Sequence, residues 1–338
     1  MPAIVVRHLH KTYRAPQREP GLRATLRHLV APRYRTIEAL RDVSFTVEPG
    51  EAVGYLGPNG AGKTTTLKIL AGVLFPDAGE ARVLDFTPWE GDHDFKRQIA
   101  FVMGRKGQLW WDLPALDLFL LFQEMYAVPE ALFRRRLDDL TARFRVADLL
   151  TVPIRNLSLG ERMKMELIAA LLHGPQVLFL DEPTLGLDVL AQHEIRTLLR
   201  QQVEEDGLTL MMASHYMRDV EALCDRVILL EQGHIRFDGP LADLKARFAP
   251  HRRVEAVLSR PLPPGKTPPA ARWLVNRAGP RMQWQMPRAE VPSFLHHLTA
   301  HYEITDLSVA EPSLEEVLRH LFDTPDAASG HSAPQEVF

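Results

Sequence analysis

Cysteine is almost absent: Cys224 stands alone among 338 residues. One thiol closes no internal disulfide and has no second cysteine with which to build a zinc cluster, so its plain reading is a buried helix residue. Long apolar runs are also missing. The two longest, around residues 113–122 and 167–180, are interrupted by Asp117 and by His173-Gly174-Pro175-Gln176. Neither reaches the ~18–20 residues of a membrane span, and the chain is expected not to cross a bilayer. Met1 to Val6 lacks the basic start of a secretory leader, and its apolar stretch stops at Arg7 and His8, so a cytoplasmic location is expected. No charge sign dominates, the net being −3, and a hydrophobic share of 46% excludes global disorder. The length exceeds the ~250–300 residues at which a single core stops growing, which predicts a large domain plus a smaller one.

Charge is present but unevenly placed. Between residues 14 and 36, Arg14, Arg18, Arg23, Arg27, Arg33 and Arg35 face only Glu19, a local +5 suited to phosphates, anionic lipid or an acidic partner. Residues 247–301 carry nine Lys or Arg against Glu255 and Glu290, and residues 302–338 reverse this with eight acids against Arg319. The final stretch 323–338, rich in Ala, Ser, Pro and Gly, reads as a frayed tail.

Hydropathy patterning predicts strands at 3–9 and 39–47, then a short apolar run at 51–56, a glycine loop and a helix over 63–74 carrying Leu67, Leu70 and Leu74 at helical spacing. After a strand at 99–103, segments 116–126, 129–144 and 162–172 read as helices with no strand between them, an inserted helical region. Short strands at 177–180, 209–213 and 227–231 alternate with helices at 191–204 and 217–223, as in a parallel sheet. Beyond the Pro-rich 260–269, strand-like runs at 273–275 and 282–286 and a helix at 293–300 place a small α+β domain at about 248–322.

Gly57-Pro58-Asn59-Gly60-Ala61-Gly62-Lys63-Thr64 fits G-x-x-x-x-G-K-[ST] between a predicted strand and a predicted helix. Such glycines let successive N–H groups point inward, the helix N-terminus adds positive potential, and Lys63 supplies a mobile charge for β- and γ-phosphates. Thr64 can offer its hydroxyl to Mg²⁺, and Thr65 follows it in the binding segment. The apolar run Val177-Leu178-Phe179-Leu180 delivers Asp181 to a strand's carboxyl end, where ligands bind in parallel sheets. Asp181 would hold Mg²⁺, and Glu182 would align a water on the γ-phosphate, unless the pair is merely a solvated acidic turn.

Leu157-Ser158-Leu159-Gly160-Glu161 precedes Asp181 by 23 residues, counted from its serine, and resembles the Leu-Ser-Gly-Gly-Gln signature of ATP-binding cassette ATPases. With Leu185-Gly186-Leu187-Asp188 and His215, the whole of about 1–245 resembles one such cassette. The expected fold is therefore α/β: a P-loop NTPase core with an antiparallel β layer, an inserted helical subdomain at about 105–173, and a small C-terminal α+β domain. The same Ser158 and Glu161 also fit an ordinary helix cap, a role compatible with the functional one. The resemblance implies a head-to-tail dimer of two cassettes in which Ser158 of one copy closes over ATP held by the other. It further implies that Tyr13 stacks on adenine, Asp188 lines the dimer seam and His215 contacts the γ-phosphate. A strand-end surface tyrosine and a helix-cap histidine are the ordinary alternatives.

Three departures stand out. The signature has Leu159 and Glu161 where the family has Gly and Gln, and a changed dimer fit is expected. At the end of strand 99–103 the family's glutamine is replaced by Gly104 and Arg105. The nearest glutamine downstream, Gln108, is carried over as a candidate ligand of ATP and Mg²⁺, with an ordinary loop amide as the alternative. Finally, 44 residues separate Tyr13 from Gly57, and the excess is the basic insertion 15–36. Within it Leu22, Leu26, Leu29 and Val30 lie at helical spacing, which predicts a short amphipathic helix.

A cassette acts on a partner. The expected one is a separate transmembrane permease, docked near the apolar segment containing Trp110, Trp111, Leu118, Phe119 and Phe122, with the chain peripheral at the cytoplasmic face of the membrane. Glu311-Pro312-Ser313-Leu314-Glu315-Glu316-Val317-Leu318 is similar to the closing segment of single cassettes serving drug-export-type transporters of the ABC-2 class. The basic insertion is similar to that of polysaccharide-export cassettes, so a polymer or glycolipid substrate is the alternative. A soluble cassette acting on nucleic acid or ribosomes is a third reading. It is disfavoured because neither a second cassette nor a long heptad insertion is present, and no nucleic-acid partner is expected.

Overall fold

The structure, a computed structural model, describes residues 1–16, 34–104, 107–214, 216–248, 251–263, 267–311 and 313–323. The chain divides into two units, Met1–Leu241 and Ala242–Phe338.

In the first unit, β1 (Ile4–Pro16) and β2 (Tyr34–Val47) pair antiparallel. β3 (Ala52–Leu56) leads through the glycine loop into α1 (Lys63–Leu70), and β4 (Ala78–Val83) returns to the other edge of β1. α2 (His93–Gln98) and β5 (Ile99–Met103) precede the helices α3 (Ala115–Tyr126), α4 (Glu130–Phe144) and α5 (Leu159–Leu171). The alternation then resumes with β6 (Val177–Asp181), α6 (Val189–Asp206), β7 (Thr209–Ala213), α7 (Met217–Leu223), β8 (Arg226–Glu231) and β9 (His234–Pro240).

These strands form two sheets. The larger has the order β5-β6-β7-β3-β8-β9, parallel except for β9, and the smaller is β2-β1-β4. Strands β3, β6 and β7 are continuous apolar runs buried along nearly their whole length, as strands covered on both faces must be. Ile4, Val6 and Leu9 of β1, Phe45 and Val47 of β2, and Leu67 and Leu70 of α1 join Tyr55 and Phe179 in one core. This core clamps the glycine loop between the two sheets. β3 lies between β7 and β8 and runs parallel to both, so the loop after it opens at the carboxyl edge of the sheet.

The ends of the basic segment differ from the expected insertion. Arg14, Ala15 and Pro16 pair with Thr36, Arg35 and Tyr34, so these residues continue β1 and β2. The amphipathic helix expected around Leu22 to Val30 lies outside the described residues, as does the tail 324–338. The helical region carries no strand among its described residues. Leu118 and Phe119 are buried, as core packing has them, whereas Trp110, Trp111, Leu120, Leu121 and Met125 are exposed. The 3.6-residue period of α3 turns Leu118 and Phe119 to the core and Leu120 and Leu121 to the outer face. Among the described residues no helix is long and apolar enough to cross a membrane.

The second unit opens with α8 (Leu241–Phe248), whose first residue closes the first unit, and continues with β10 (His251–Leu258), β11 (Leu274–Ala278), β12 (Arg281–Pro287), α9 (Val291–His301), β13 (Ile304–Ala310) and α10 (Leu314–Asp323). Its antiparallel sheet runs β11-β12-β10-β13. Val254, Ala256 and Leu258 pack with Met282, Trp284 and Met286 and with Phe294 and Leu298 of α9. The Pro-rich 260–269 is the β10–β11 connection, with the Pro269 carbonyl accepting the Trp284 indole N–H at 2.7 Å.

Candidate functional site

At the carboxyl edge of the parallel sheet lies an open cavity of about 670 Å³, lined on one side by Asn59, Gly60, Gly62, Lys63, Thr64 and Thr65. The glycine loop reaches this shape because two of its residues cannot carry a side chain. A Cβ on Gly57 would sit 2.2 Å from the Leu230 carbonyl oxygen, and one on Gly62, at φ 109°, would sit 2.4 Å from that of Ala39. Pro58 and Ala61 build the turn: the Ala61 N–H donates to the Pro58 carbonyl at 3.2 Å, and Ala61 is buried. The N-terminus of α1 follows at once, so its unpaired N–H groups and dipole face the same space.

Lys63 is buried, and its ammonium donates to the Gly57 and Pro58 carbonyls at 2.8 and 3.0 Å. Burial pushes its pKa down, while Glu182 and Asp181 pull it back up. The ammonium is thus parked on weak neutral acceptors beside a cavity where a phosphate would be a stronger partner.

The opposite wall comes from β6. Thr64 Oγ1 donates to both carboxylate oxygens of Asp181, at 3.1 and 2.9 Å. A hydroxyl and a carboxylate converging from two elements make an all-oxygen set, the donor chemistry that Mg²⁺ takes when phosphates and water complete its shell. Among the described residues no cluster of three or more His, Cys, Asp or Glu is placed to hold a metal ion. Glu182 also lines the cavity, at φ 57°. Its N–H donates to the Ala213 carbonyl at 2.8 Å, and a Cβ on Gly104 would lie 1.9 Å from its carbonyl oxygen. The left-handed turn breaks the strand after Asp181, so two successive residues both line the cavity instead of alternating across the sheet.

Tyr13 lines the mouth, 39% exposed, with its hydroxyl 3.3 Å from Thr65 Oγ1. Its ring has the Lys11 ammonium over it, 5.9 Å from the centroid. Ile37, its register partner on β2, also lines the cavity, as do Lys68 and Met103. Sequence reasoning missed these three, although the pairing of the two long strands could have found Ile37.

Ser158 caps α5 as the capping-box reading expects. Its hydroxyl accepts the Glu161 N–H at 3.3 Å, and the Glu161 carboxylate accepts the Ser158 N–H and hydroxyl at 2.8 and 2.7 Å. Asp188 caps α6, and a Cβ on Gly160 would stand 3.0 Å from Ala191, so the starts of the two helices pack together. None of residues 157–161 lines the chain's own cavity.

Gln108 is not brought to the cavity either. Its side chain donates to the Phe101 carbonyl at 2.5 Å, and its backbone N–H donates to Glu166. His215 lies outside the described residues. A further buried group went unread in the sequence: Asp219 of α7, wholly buried, accepts from the Thr184 hydroxyl and, at 2.8 Å, from Arg196, tying the turn after Glu182 to α6 and α7.

Comparison with known proteins places this architecture. The family model described as ABC transporter matches residues 40–185. The chain is 35% identical over 210 residues to the ABC transporter ATP-binding protein NatA of Bacillus subtilis, covering 62% of this chain and 85% of that protein. It is 30% identical over 220 residues to the linearmycin resistance ATP-binding protein LnrL of the same organism, covering 65% and 70% respectively. A dimeric, post-hydrolysis structure of an ATP-binding cassette bound to ADP and Pi superposes with a TM-score of 0.58 at 25% identity, covering 70% of this chain and 98% of that one. The phosphate loop, the paired carboxylates and these likenesses identify the chain as a member of the ATP-binding subunits of ABC transporters, an ATPase with a P-loop NTPase fold.

Proposed function

We propose that this chain powers a separate membrane permease from the cytoplasmic face, as a homodimer, exporting a drug-like or other amphipathic compound. The observation that carries the catalytic part is the convergence of Lys63, the Thr64–Asp181 pair and Glu182 on one cavity, while Ser158 stands on an exposed helix start away from it. A signature serine that does not line its own site has its use in a second copy's site.

In this reading the glycine loop and the α1 N-terminus cradle the phosphates of ATP, and Lys63 leaves its carbonyl partners for the β- and γ-oxygens. Tyr13 stacks on the base. Thr64 and Asp181 would hold Mg²⁺, which would supply positive charge against the charge that develops on the phosphates. Glu182 orients the attacking water and accepts its proton, since phosphoryl transfer asks chiefly for positioning and charge stabilisation. His215 is assigned to the γ-phosphate, Asp188 to the seam, and Ser158 with the Gly160 backbone and α5 dipole to the partner's γ-phosphate. Two features support export: the relative LnrL is a resistance protein, and exposed Trp110, Trp111, Leu120, Leu121 and Met125 offer an apolar surface to a membrane partner. The arginines of 15–36 would add a peripheral contact with anionic lipid.

The test is purification of the full chain from its native membrane under mild detergent, with identification of what accompanies it. Recovery of a polytopic protein that stimulates its ATPase activity supports the reading. Recovery of ribosomes or nucleic acid, with stimulation by them, overturns it.

A further inference from the structure

The loop that leads from β5 into α3 is fastened to the signature helix by a side chain outside the motifs. Glu166 lies two turns beyond Ser158 on α5 and is 5% exposed. Its Oε1 accepts the backbone N–H of Gln108 at 2.7 Å and that of Leu109 at 3.1 Å. Gly107 makes room for it, since a Cβ there would already meet Oε1 at 3.0 Å. Leu109 is buried and anchors the loop from its other side.

One turn closer to Ser158, the Arg162 guanidinium lies 4.3 Å over the Trp111 ring. The same loop is then stitched to the segment that enters α5. Arg155 N–H donates to the Trp111 carbonyl at 2.9 Å, Ile154 N–H to the Leu113 carbonyl at 3.1 Å, and Arg155 pairs with Asp112 at 2.8 Å. The charge-assisted bonds to the buried Glu166 carboxylate are the strongest of these links, since solvent competes for that acceptor less than for an exposed one.

We propose that Glu166 is a positioning residue that locks loop 107–113 to the signature helix, so that the loop and Ser158 move as one body when two copies close over ATP. Glu166 touches no nucleotide; it acts through Ser158, and the proposal rests on the reading of Ser158 as working in trans. A change in the loop's position is thereby delivered to the other copy's site, and the loop cannot drift while the helix stays.

The test uses the full chain in three variants besides Ser158→Arg. Glu166→Leu removes the acceptor, Glu166→Gln keeps an oxygen that can take both N–H groups, and Gly107→Ala crowds the carboxylate off them. Glu166→Leu and Gly107→Ala are expected to lower kcat about tenfold while leaving the Kd for ATP within twofold, and Glu166→Gln to stay within about twofold of the parent in both. Amide exchange should accelerate in Glu166→Leu at residues 107–109 and also at 155–161. If exchange rises only at 107–109 and kcat is unchanged, the lock does not serve closure and the proposal fails. Equal losses in the Gln and Leu variants, with weakened ATP binding, would show a general packing role and also overturn it. Ser158→Arg separates the two levels: unchanged hydrolysis there refutes the trans reading itself, whereas lost hydrolysis there beside a normal Glu166→Leu refutes only the role of Glu166.

Discussion

The Thr64 hydroxyl donates to both oxygens of the Asp181 carboxylate, although 117 residues separate them and they stand on different elements, the first turn of α1 and the end of β6. That pair lines the cavity proposed to hold the nucleotide, and the expected behaviour of variants follows from what surrounds it.

Glu182→Gln is expected to bind ATP and dimerise with kcat lowered by about 10²–10⁴, the range assigned to general bases, because the amide can position water but cannot take its proton. Lys63→Ala should instead lose ATP binding and the ATP-dependent dimer, since it removes the charge that meets the phosphates. Size-exclusion chromatography with and without Mg-ATP, alongside phosphate release, distinguishes them. Near-parent hydrolysis by Glu182→Gln would move the base elsewhere, with His215 the first candidate.

Hydrolysis by the isolated chain should rise more steeply than linearly with enzyme concentration, since each site waits for a partner's Ser158. Glu161 adds a refinement. Its carboxylate, bonded to Ser158, brings negative charge to the helix start proposed to face the partner's γ-phosphate. Glu161→Gln keeps the cap's geometry and removes that charge, so the ATP-dependent dimer should form at several-fold lower protein concentration. A cost of about 0.3–1 kcal/mol in helix stability is expected, from the lost match to the dipole. Light scattering across a dilution series reads the dimer, and a urea titration reads the cost in stability.

His173 ties α5 to β5 and α3: its Nε2–H donates to the Ile99 carbonyl at 3.0 Å, and its ring stacks on Tyr126 at 4.1 Å between centroids. Burial, aided by the nearby positive Arg136, lowers its pKa from 6.5 to about 4, against the opposing pull of the Ile99 bond. The unfolded chain therefore takes up this proton first as pH falls. Stability from the neutral ring is complete above about 6.5 and is lost progressively toward pH 4, about 3 kcal/mol in all. His173→Phe keeps the stack, loses the hydrogen bond, and should flatten the pH dependence of urea midpoints between pH 6.5 and 4.5. An unaltered slope would place the titrating group elsewhere.

Asp219 and Arg196 form a buried ion pair in which the carboxylate is wholly inaccessible. Asp219→Ala strands the Arg196 charge and the Thr184 hydroxyl, and a loss of about 3–5 kcal/mol is expected. The double variant Asp219→Leu with Arg196→Met should recover most of it in denaturant titrations. If the double variant is no more stable than Asp219→Ala, the unpaired charge is not the cause.

Much of the first unit was legible in the chain itself, for reasons visible in particular residues. Val177-Leu178-Phe179-Leu180 is apolar without alternation, so both faces had to be covered. Gly57 to Thr64 carries glycines where side chains would strike carbonyls, and Ser158 with Glu161 spells out its own helix cap. The cap is satisfied by neighbours in sequence and the apolar strand by burial as such, and the glycine spacing is readable even though the Leu230 and Ala39 carbonyls it makes room for are distant in the chain.

What stayed hidden depended on pairing between distant segments. Strand β4 has Ala81 and Val83 as its only buried positions, with Glu80 and Arg82 facing water. It is a strand because β1 supplies its hydrogen-bond partners. In the second unit, β13 is largely exposed and owes its extension to β10. Arg14 to Pro16 and Tyr34 to Thr36 looked like the ends of an insertion until the register of β1 on β2 joined them.

The site divides the same way. Its residue types followed from local chemistry, since phosphate needs N–H groups and a cation, and Mg²⁺ needs oxygens. Which residues meet did not. Gln108 carried the right amide, yet Glu166, 58 residues away, takes its backbone, and the Phe101 carbonyl takes its side chain. A hydrogen bond is satisfied by whichever partner folding brings within 3 Å, and only the packed structure decides which partner that is.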